Sequence, residues 1–138
     1  MNAFVDLFVY GTLRRGDRND ITRLTPAPRL LGFGTVKGRL FDFGNYPGIV
    51  LGDASPSVLG EVYRAPAALI PVLDEIELMY PDTPHLYRQA SRTVQCGGLA
   101  LNCLLYELTD EGRSAQREIT AQPGALLDWI SYDLQRSL

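Results

Sequence analysis

The chain has 138 residues, of which 46% are hydrophobic, a composition typical of one globular domain with an apolar core. Its formal net charge of -3 at pH 7 excludes a broad basic surface for holding a nucleic acid or an acidic membrane. We therefore expect a single domain over residues 1–138 without nucleic-acid or membrane partners.

The N-terminal segment predicts a strand and not a targeting sequence. Met1 to Tyr10 is apolar but short, is interrupted by Asp6, and lacks the basic leader and cleavage site of a signal peptide. No run in the chain reaches the roughly 18 apolar residues of a membrane-spanning helix. We expect a cytoplasmic protein whose first strand, Phe4 to Tyr10, ends in a turn at Gly11.

Further strands are predicted where β-branched and aromatic residues lie between turn residues. They are Gly32 to Phe41, Leu59 to Tyr63, Ala90 to Cys96 and Leu99 to Leu108. A two-residue turn at Gly97-Gly98 would place Cys96 opposite Leu99 and Cys103 opposite Arg92. That register forms no disulfide, so we expect two half-buried free thiols.

One helix is predicted at about Ala67 to Met79, because four apolar residues follow the i, i+3, i+4, i+7 spacing of one helix face. They are Leu69, Val72, Leu73 and Ile76. Pro71 would remove a backbone hydrogen bond, so regular helix should begin near Ile70.

A weaker pattern predicts a short C-terminal helix through Leu126, Leu127, Ile130 and Leu134. Many short strands with two helices indicate an α+β domain built on a small barrel-like sheet.

The motifs of several enzyme classes are missing. The sequence has no G-x-S-x-G motif, and its one histidine, His85, lies in a Pro/Asp-rich loop without a nucleophile to activate. We expect an exposed loop residue there. No His, Cys and carboxylate group has metal-ligand spacing, so we expect no metal site.

The segment Gly11 to Gly16 has the glycine spacing of a phosphate loop, but Asp17-Arg18 follows where Lys-Ser or Lys-Thr would be required. A glycine-containing turn after a strand can still direct backbone N–H groups at a carboxylate or an oxyanion. Taken alone, the segment is equally consistent with a plain tight turn whose Arg14, Arg15 and Arg18 are solvated.

Glu77 is the acidic residue of the predicted helix that lies nearest the core. At 100° per residue it lies roughly 90° from the centre of the apolar stripe, against about 110° for Glu75 and about 150° for Asp74. A partly desolvated carboxyl has a raised pKa and can exchange protons near neutral pH. Most helix glutamates are simply solvated, so this position alone leaves both interpretations open.

Two further segments place an aromatic residue beside a turn. Tyr46 precedes Pro47-Gly48, and Tyr87-Arg88 follows Leu86. Tyrosine hydroxyls or the Arg88 guanidinium could complete a polar pocket. The alternative is ordinary packing for the tyrosines and a surface ion pair for Arg88.

In order along the chain, these segments resemble the γ-glutamylcyclotransferase-like superfamily, particularly its AIG2-like and γ-glutamylamine cyclotransferase branch. The matching motifs begin with Val9-Tyr10-Gly11-Thr12-Leu13-Arg14-Arg15-Gly16 and Asn19, continue through Gly38-Arg39-Leu40-Phe41, Tyr46-Pro47-Gly48, Gly60-Glu61-Val62-Tyr63 and Leu73-Asp74 with Glu77, and end with Tyr87-Arg88 and Tyr106. Each motif is weak alone, whereas their order is specific.

The resemblance implies a small mixed β-barrel with flanking α-helices, in which Glu77 is the catalytic acid-base residue. It further implies that Tyr10, Gly11, Thr12 and Leu13 bind substrate, with Tyr46, Tyr87 and Arg88 completing the site. The family reaction cyclises a γ-glutamyl amine or amino acid to 5-oxoproline, releases the amine, and requires neither a metal nor an organic cofactor. The partner would be that small γ-glutamyl substrate, and the chain would be a monomer or a homodimer.

The sequence departs from the family pattern at Leu78, where glycine often follows the catalytic glutamate, and at Gln89, where a second arginine often stands. The first departure could alter the presentation of Glu77, and the second the rim of the pocket. Two alternatives stay open at this point: a binding module without catalysis, and an enzyme of the same fold that processes another amide.

Overall fold

The computed structural model describes residues 3–53, 56–78, 86–109 and 117–136. The strands are β1 Phe4–Val9, β2 Arg29–Asp42, β3 Pro47–Leu51, β4 Ser57–Pro66, β5 Tyr87–Cys96, β6 Leu99–Leu108 and β7 Arg117–Ile119, and the α-helices are α1 Ile70–Leu78 and α2 Trp129–Arg136. Single turns of 3₁₀ helix lie at Ile21–Arg23 and Ala67–Leu69. The expected His85 loop lies outside the described residues.

Five strands close into a barrel in the order β2, β4, β1, β6, β5, and β5 pairs back onto β2 through Gly34 and Thr35. Neighbouring strands are antiparallel except β1 and β6, which run parallel. The predicted fold class, a small mixed barrel with flanking helices, is confirmed.

The longest strand, β2, takes part in two sheets. Its first part, Arg29 to Lys37, pairs with β4 in the barrel. Its last five residues, Gly38 to Asp42, pair with β3 on one side, and Leu40 to Asp42 pair with β7 on the other. β2 therefore extends past the barrel and carries β3 to the mouth of the cavity described below.

The predicted hairpin has the expected register, with Cys96 opposite Leu99 and Arg92 opposite Cys103. Gly97 and Gly98 both have positive φ, the backbone region that a two-residue turn requires and that glycine adopts without strain. The thiols are free, as expected, but both are fully buried and not half-buried. Burial raises the pKa of the Cys103 thiol to about 12.

The main helix also forms where predicted. Ala67–Leu69 is a 3₁₀ turn and regular helix starts at Ile70, one residue before Pro71. Leu69 and Leu73 are buried, whereas Val72 is 39% exposed. Including Val72 in the buried face was wrong, because a nine-residue helix buries only a narrow stripe.

Three elements differ from expectation. β3 and β7 form strands that were not predicted, and α2 begins at Trp129, after Leu126 and Leu127. Leu127 is buried because it pairs with Val58 of β4, while Leu126 is exposed. In the described part of the chain, no helix is long and apolar enough to span a membrane.

Close packing in the barrel explains one glycine of a sequence motif. A Cβ atom at Gly60 would lie 2.4 Å from the carbonyl oxygen of Val9 and 2.6 Å from the Phe8 ring. Only glycine lets β4 cross the end of β1 at this distance. The end of β1, where the turn at Gly11 begins, is therefore held directly against β4.

Candidate active site

A cavity of about 130 Å³ opens beside the end of β1. Its walls come from the turn after β1, the start of β3, the end of α1, and strands β5 and β6. The lining residues are Phe8, Val9, Tyr10, Gly11, Thr12, Leu13, Arg18, Asn19, Asn45, Tyr46, Pro47, Ile76, Glu77, Tyr87 and Tyr106. All but one of the residues proposed from the sequence as site residues line this cavity.

The turn Gly11 to Leu13 is fixed through its carbonyl groups. The Arg14 N–H donates to the Gly11 carbonyl at 3.0 Å, the Asn19 N–H to the Thr12 carbonyl at 2.8 Å, and the Ile21 N–H to the Leu13 carbonyl at 2.9 Å. The Asn19 side chain also donates to the Thr12 hydroxyl at 3.1 Å. All three carbonyl oxygens of the turn are thus hydrogen-bonded within the protein.

The N–H groups of the same turn are left open. Those of Gly11, Thr12 and Leu13 donate no hydrogen bond to any residue that the structure describes. The backbone comes close to Pro47, since a Cβ atom at Gly11 would lie 2.6 Å from the Pro47 ring. The turn therefore presents three adjacent donors beside the cavity, an arrangement suited to an anionic oxygen.

Glu77 reaches the cavity from the last turn of α1. Its side chain is partly buried, whereas Glu75, two residues earlier, is exposed. Burial raises the pKa of the Glu77 carboxyl from 4.5 to about 7, and no described side chain donates a hydrogen bond that would lower it. A carboxyl with this pKa can both accept and return a proton at neutral pH.

Tyrosine rings form much of the remaining wall, but their hydroxyls are used within the protein. Tyr10 donates to the Tyr106 carbonyl and accepts from the Ile49 N–H; Tyr106 donates to Asp74, and Tyr87 donates to the Pro47 carbonyl.

Burial is the main cause that raises the pKa of Tyr10 and Tyr87, and the nearby Glu77 charge adds to it. These tyrosines therefore line the cavity with their aromatic rings. The Tyr87 hydroxyl, which the sequence offered as a polar group of the pocket, is instead bonded to the Pro47 carbonyl.

Arg88 does not line the cavity. Its side chain is 52% exposed and pairs with Glu107, the guanidinium Nε lying 3.1 Å from the carboxylate oxygen. Adjacent residues of a strand point to opposite faces, so Tyr87 turns inward and Arg88 outward. Gln89 is also exposed and donates to Asp74 at 2.9 Å.

Arg14 differs most from its expected environment, because it is buried and not solvated. Its Nε atom lies 2.9 Å from Glu61 of β4, and one terminal nitrogen lies 2.6 Å from Asp128, just before α2. Arg18 is the member of the arginine group that reaches the cavity, with a side chain 47% exposed.

Sequence reasoning gave no site role to Asn45 or Ile76, which also line the cavity. Tyr106 and Asn19 were noted only as family motif residues. Asn45 lies in the link between β2 and β3, and no local pattern distinguishes it. Among the described residues, no three His, Cys, Asp or Glu side chains are grouped as metal ligands.

Comparison with protein families shows that most of the chain matches one family model. A model of the family "Gamma-glutamyl cyclotransferase, AIG2-like" matches residues 7–129. The chain belongs to this family. The match starts in β1, two residues before the family motif at Val9, and runs to the first residue of α2, so it includes every lining residue of the cavity.

Individual members of the γ-glutamylcyclotransferase family resemble the chain over most of its length. The γ-L-glutamyl-butirosin B γ-glutamyl cyclotransferase of Niallia circulans is 36% identical over 136 residues, covering 96% of this chain and 80% of the relative.

Solved structures confirm the fold. An AIG2-like protein from Mus musculus superposes with a TM-score of 0.65 at 24% identity, covering 91% of this chain and 95% of that one. YkqA from Bacillus subtilis gives a TM-score of 0.70 at 24% identity over 100% of this chain, which spans only 44% of YkqA.

Proposed function

We propose that this chain cyclises the γ-glutamyl group of a γ-glutamyl amine or γ-glutamyl amino acid to 5-oxoproline and releases the amine. The observation that carries the proposal is one cavity that combines the Glu77 carboxyl, of raised pKa, with the N–H groups of Gly11 to Leu13, none of which is hydrogen-bonded to a residue that the structure describes. The reaction needs these two elements and no protein nucleophile.

The substrate itself supplies the nucleophile. Its α-amino nitrogen attacks its γ-carbonyl carbon, so one C–N bond forms as the five-membered ring closes. The carbonyl then re-forms and the C–N bond to the leaving amine breaks. Two protons leave the α-ammonium as it becomes the ring N–H, and the leaving nitrogen takes up two as it departs as an ammonium, so no water or external reactant is consumed.

Glu77 carries these protons one at a time. As the carboxylate it removes a proton from the α-ammonium, and as the carboxylic acid it returns the proton to the departing nitrogen. A pKa of about 7 makes both forms available near neutral pH, whereas a solvated glutamate would be a poor acid there. General acid-base catalysis of this kind contributes about 10²- to 10⁴-fold in rate.

The turn donors stabilise the negative charge that develops on the γ-carbonyl oxygen. Backbone N–H groups held in place before reaction are effective because they need no reorganisation when the charge appears. The confined cavity favours the folded conformer in which the amino group approaches the carbonyl.

We expect the leaving amine to lie beside Arg18 and Asn45, which are exposed residues of the cavity lining. The relative from Niallia circulans is named for γ-L-glutamyl-butirosin B, so large γ-glutamyl amines belong in a substrate panel beside dipeptides.

The test is incubation with γ-glutamyl amines, γ-glutamyl dipeptides and glutathione, with 5-oxoproline measured by mass spectrometry. We expect product from at least one donor class, and a Glu77→Gln rate lower by about 100-fold or more. Glu75→Gln is the matched control, since it changes an exposed carboxylate of the same helix and should retain the wild-type rate.

Absence of 5-oxoproline with every donor would reject the proposed function. If Glu77→Gln formed 5-oxoproline at the wild-type rate, the role assigned to Glu77 would be rejected, but the proposed reaction would not.

A further inference from the structure

The motif Gly60-Glu61-Val62-Tyr63 has a glutamate with no role in the chemistry above. Glu61 is 5% exposed and lies on β4 opposite Val9, the last residue of β1. It does not line the cavity. A buried carboxylate is costly unless it is fully hydrogen-bonded, so its partners indicate what it is for.

Both oxygens of Glu61 hold the chain that follows the turn. Oε2 accepts from Arg14 Nε at 2.9 Å, and Oε1 accepts from the Arg15 backbone N–H at 2.9 Å. The Tyr63 hydroxyl also donates to Oε1, at 2.8 Å. One carboxylate thus binds the backbone and the side chain of two consecutive residues next to Leu13.

The first residue of α2 and the residue before it hold the chain after the turn from another direction. Arg14 donates from a terminal nitrogen to Asp128 at 2.6 Å, and the Trp129 indole N–H donates to Asp17 at 3.1 Å. Asp128 also accepts from the Ile130 N–H at 3.1 Å, so it is itself fixed at the start of the helix.

These contacts explain how the turn can keep its N–H groups from bonding to the described residues around it. An isolated loop would relax toward internal or solvent hydrogen bonds, and glycine at its start makes such movement easy. Here Arg14 also donates its own N–H to the Gly11 carbonyl, so fixing Arg14 fixes the peptide planes of the turn.

We propose that Glu61 is a positioning residue that, through Arg14 and the Arg15 N–H, holds the Gly11 to Leu13 donors in their reactive orientation. The proposal rests on the proposed function, in which those donors stabilise the oxyanion. Glu61 touches neither the substrate cavity nor Glu77, so its effect acts entirely through the backbone of the turn.

The first test is Glu61→Gln, which keeps the size of the side chain but offers only one acceptor oxygen. Because the amide nitrogen would face a donor, either Arg14 or the Arg15 N–H loses its partner. We expect kcat to fall by about 10- to 100-fold, as misplaced donors lose transition-state stabilisation. The acid limb of the kcat–pH profile should keep its midpoint, since Glu77 is untouched.

A second variant, Arg14→Lys, covers the case in which Glu61→Gln does not fold. Lysine keeps the charge but cannot bridge Glu61 and Asp128 with a planar fork, so we expect a loss of kcat in the same range. Ile119→Ala is the control for stability alone, because it removes buried apolar contacts on β7 without lining the cavity. Its kcat at 25 °C should stay within about threefold of wild type, as distant core changes act independently of the site.

The amide signals of Gly11, Thr12 and Leu13 give a readout that does not depend on activity. In ¹⁵N spectra, we expect Glu61→Gln to shift these three signals and to speed their hydrogen exchange, while Ile119→Ala leaves the shifts unchanged. If wild-type protein forms no 5-oxoproline, the proposed function fails, and these signals still decide the role of Glu61. Unchanged turn amides, or a Glu61→Gln kcat equal to that of Ile119→Ala, would overturn the inference.

Discussion

Two glutamates near the turn after β1 occupy opposite kinds of surroundings. Glu61 on β4 is 5% exposed, and both its oxygens accept hydrogen bonds from Arg14, Arg15 and Tyr63. Glu77 on α1 is less buried and accepts no hydrogen bond from the described residues, so burial alone raises its pKa to about 7.

The contrast shows that the partners of a buried carboxyl, more than its depth, determine what it can do. A carboxylate whose two oxygens both accept hydrogen bonds is fixed in place and suits support of the backbone. A carboxyl that has lost water without gaining partners exchanges its proton readily and suits catalysis. Both kinds are needed, because one supplies the proton chemistry and the other orients the donors.

The largest expected effect comes from removing the cation that pairs with Glu61. Arg14→Met leaves Glu61 and Asp128 without their shared guanidinium, and breaking a buried ion pair by removing one partner costs about 3–5 kcal/mol. Urea denaturation at pH 7 should show this loss. Glu77→Gln in the same assay should be at least as stable as wild type. Equal stabilities of Arg14→Met and Glu77→Gln would contradict the view that Glu61 depends on its partners and Glu77 does not.

The pH dependence should identify Glu77 as the unpaired group. The folded protein holds its proton up to about pH 7, whereas an unfolded chain releases it near 4.5, so folding stability falls as the pH rises through that window. A shift of this size corresponds to at most about 3 kcal/mol.

The measurement is the difference in unfolding free energy between wild type and Glu77→Gln from pH 4 to pH 8.5. The difference should grow in favour of the variant as the pH rises. The kcat of wild type should rise with a midpoint near 7, since the carboxylate form starts the reaction. A stability difference that is flat with pH would show that the Glu77 carboxyl is solvated.

Gly11→Ala disturbs the turn while leaving both glutamates intact. The new methyl would lie 2.6 Å from the Pro47 ring and must push β3 and the turn apart. We expect a stability loss of about 1–3 kcal/mol, typical of overpacking, together with a lower kcat. Thermal unfolding and 5-oxoproline formation measure the two effects. Gly44→Ala is the comparison, since a methyl there meets no atom but must adopt positive φ.

The smallest effect is expected at Arg88, the proposed site residue that the structure places outside the cavity. Its exposed pair with Glu107 should contribute less than about 1 kcal/mol. Arg88→Gln should therefore keep both the stability and the KM of wild type. A KM raised tenfold would show that Arg88 contributes to substrate binding.

Features that depend on neighbouring residues were predictable from the sequence. The Gly97-Gly98 hairpin, the start of α1 at Ile70 and the first strand follow from turn residues and apolar spacing. The resemblance in motif order added the cavity residues on the turn and α1. These signals are local, so a single sequence contains them.

The contacts that support the turn were not predictable, because they join residues that are far apart in the sequence. Arg14 pairs with Glu61, 47 residues away, and with Asp128, 114 residues away. Nothing near Arg14 in the sequence distinguishes it from Arg15 and Arg18, and solvation is the usual state of arginine. β3 and β7 were missed because pairing with the end of β2, and not their own short sequences, makes them strands.

The bond between Arg14 and Asp128 has a consequence for the newly synthesised protein. The ribosome releases the turn more than a hundred residues before Asp128 and Trp129. A nascent chain that has already formed its first strands still lacks these two anchors. Activity should therefore appear only after Trp129 has been synthesised, and a translation arrest before residue 128 should yield a chain that binds ligand weakly.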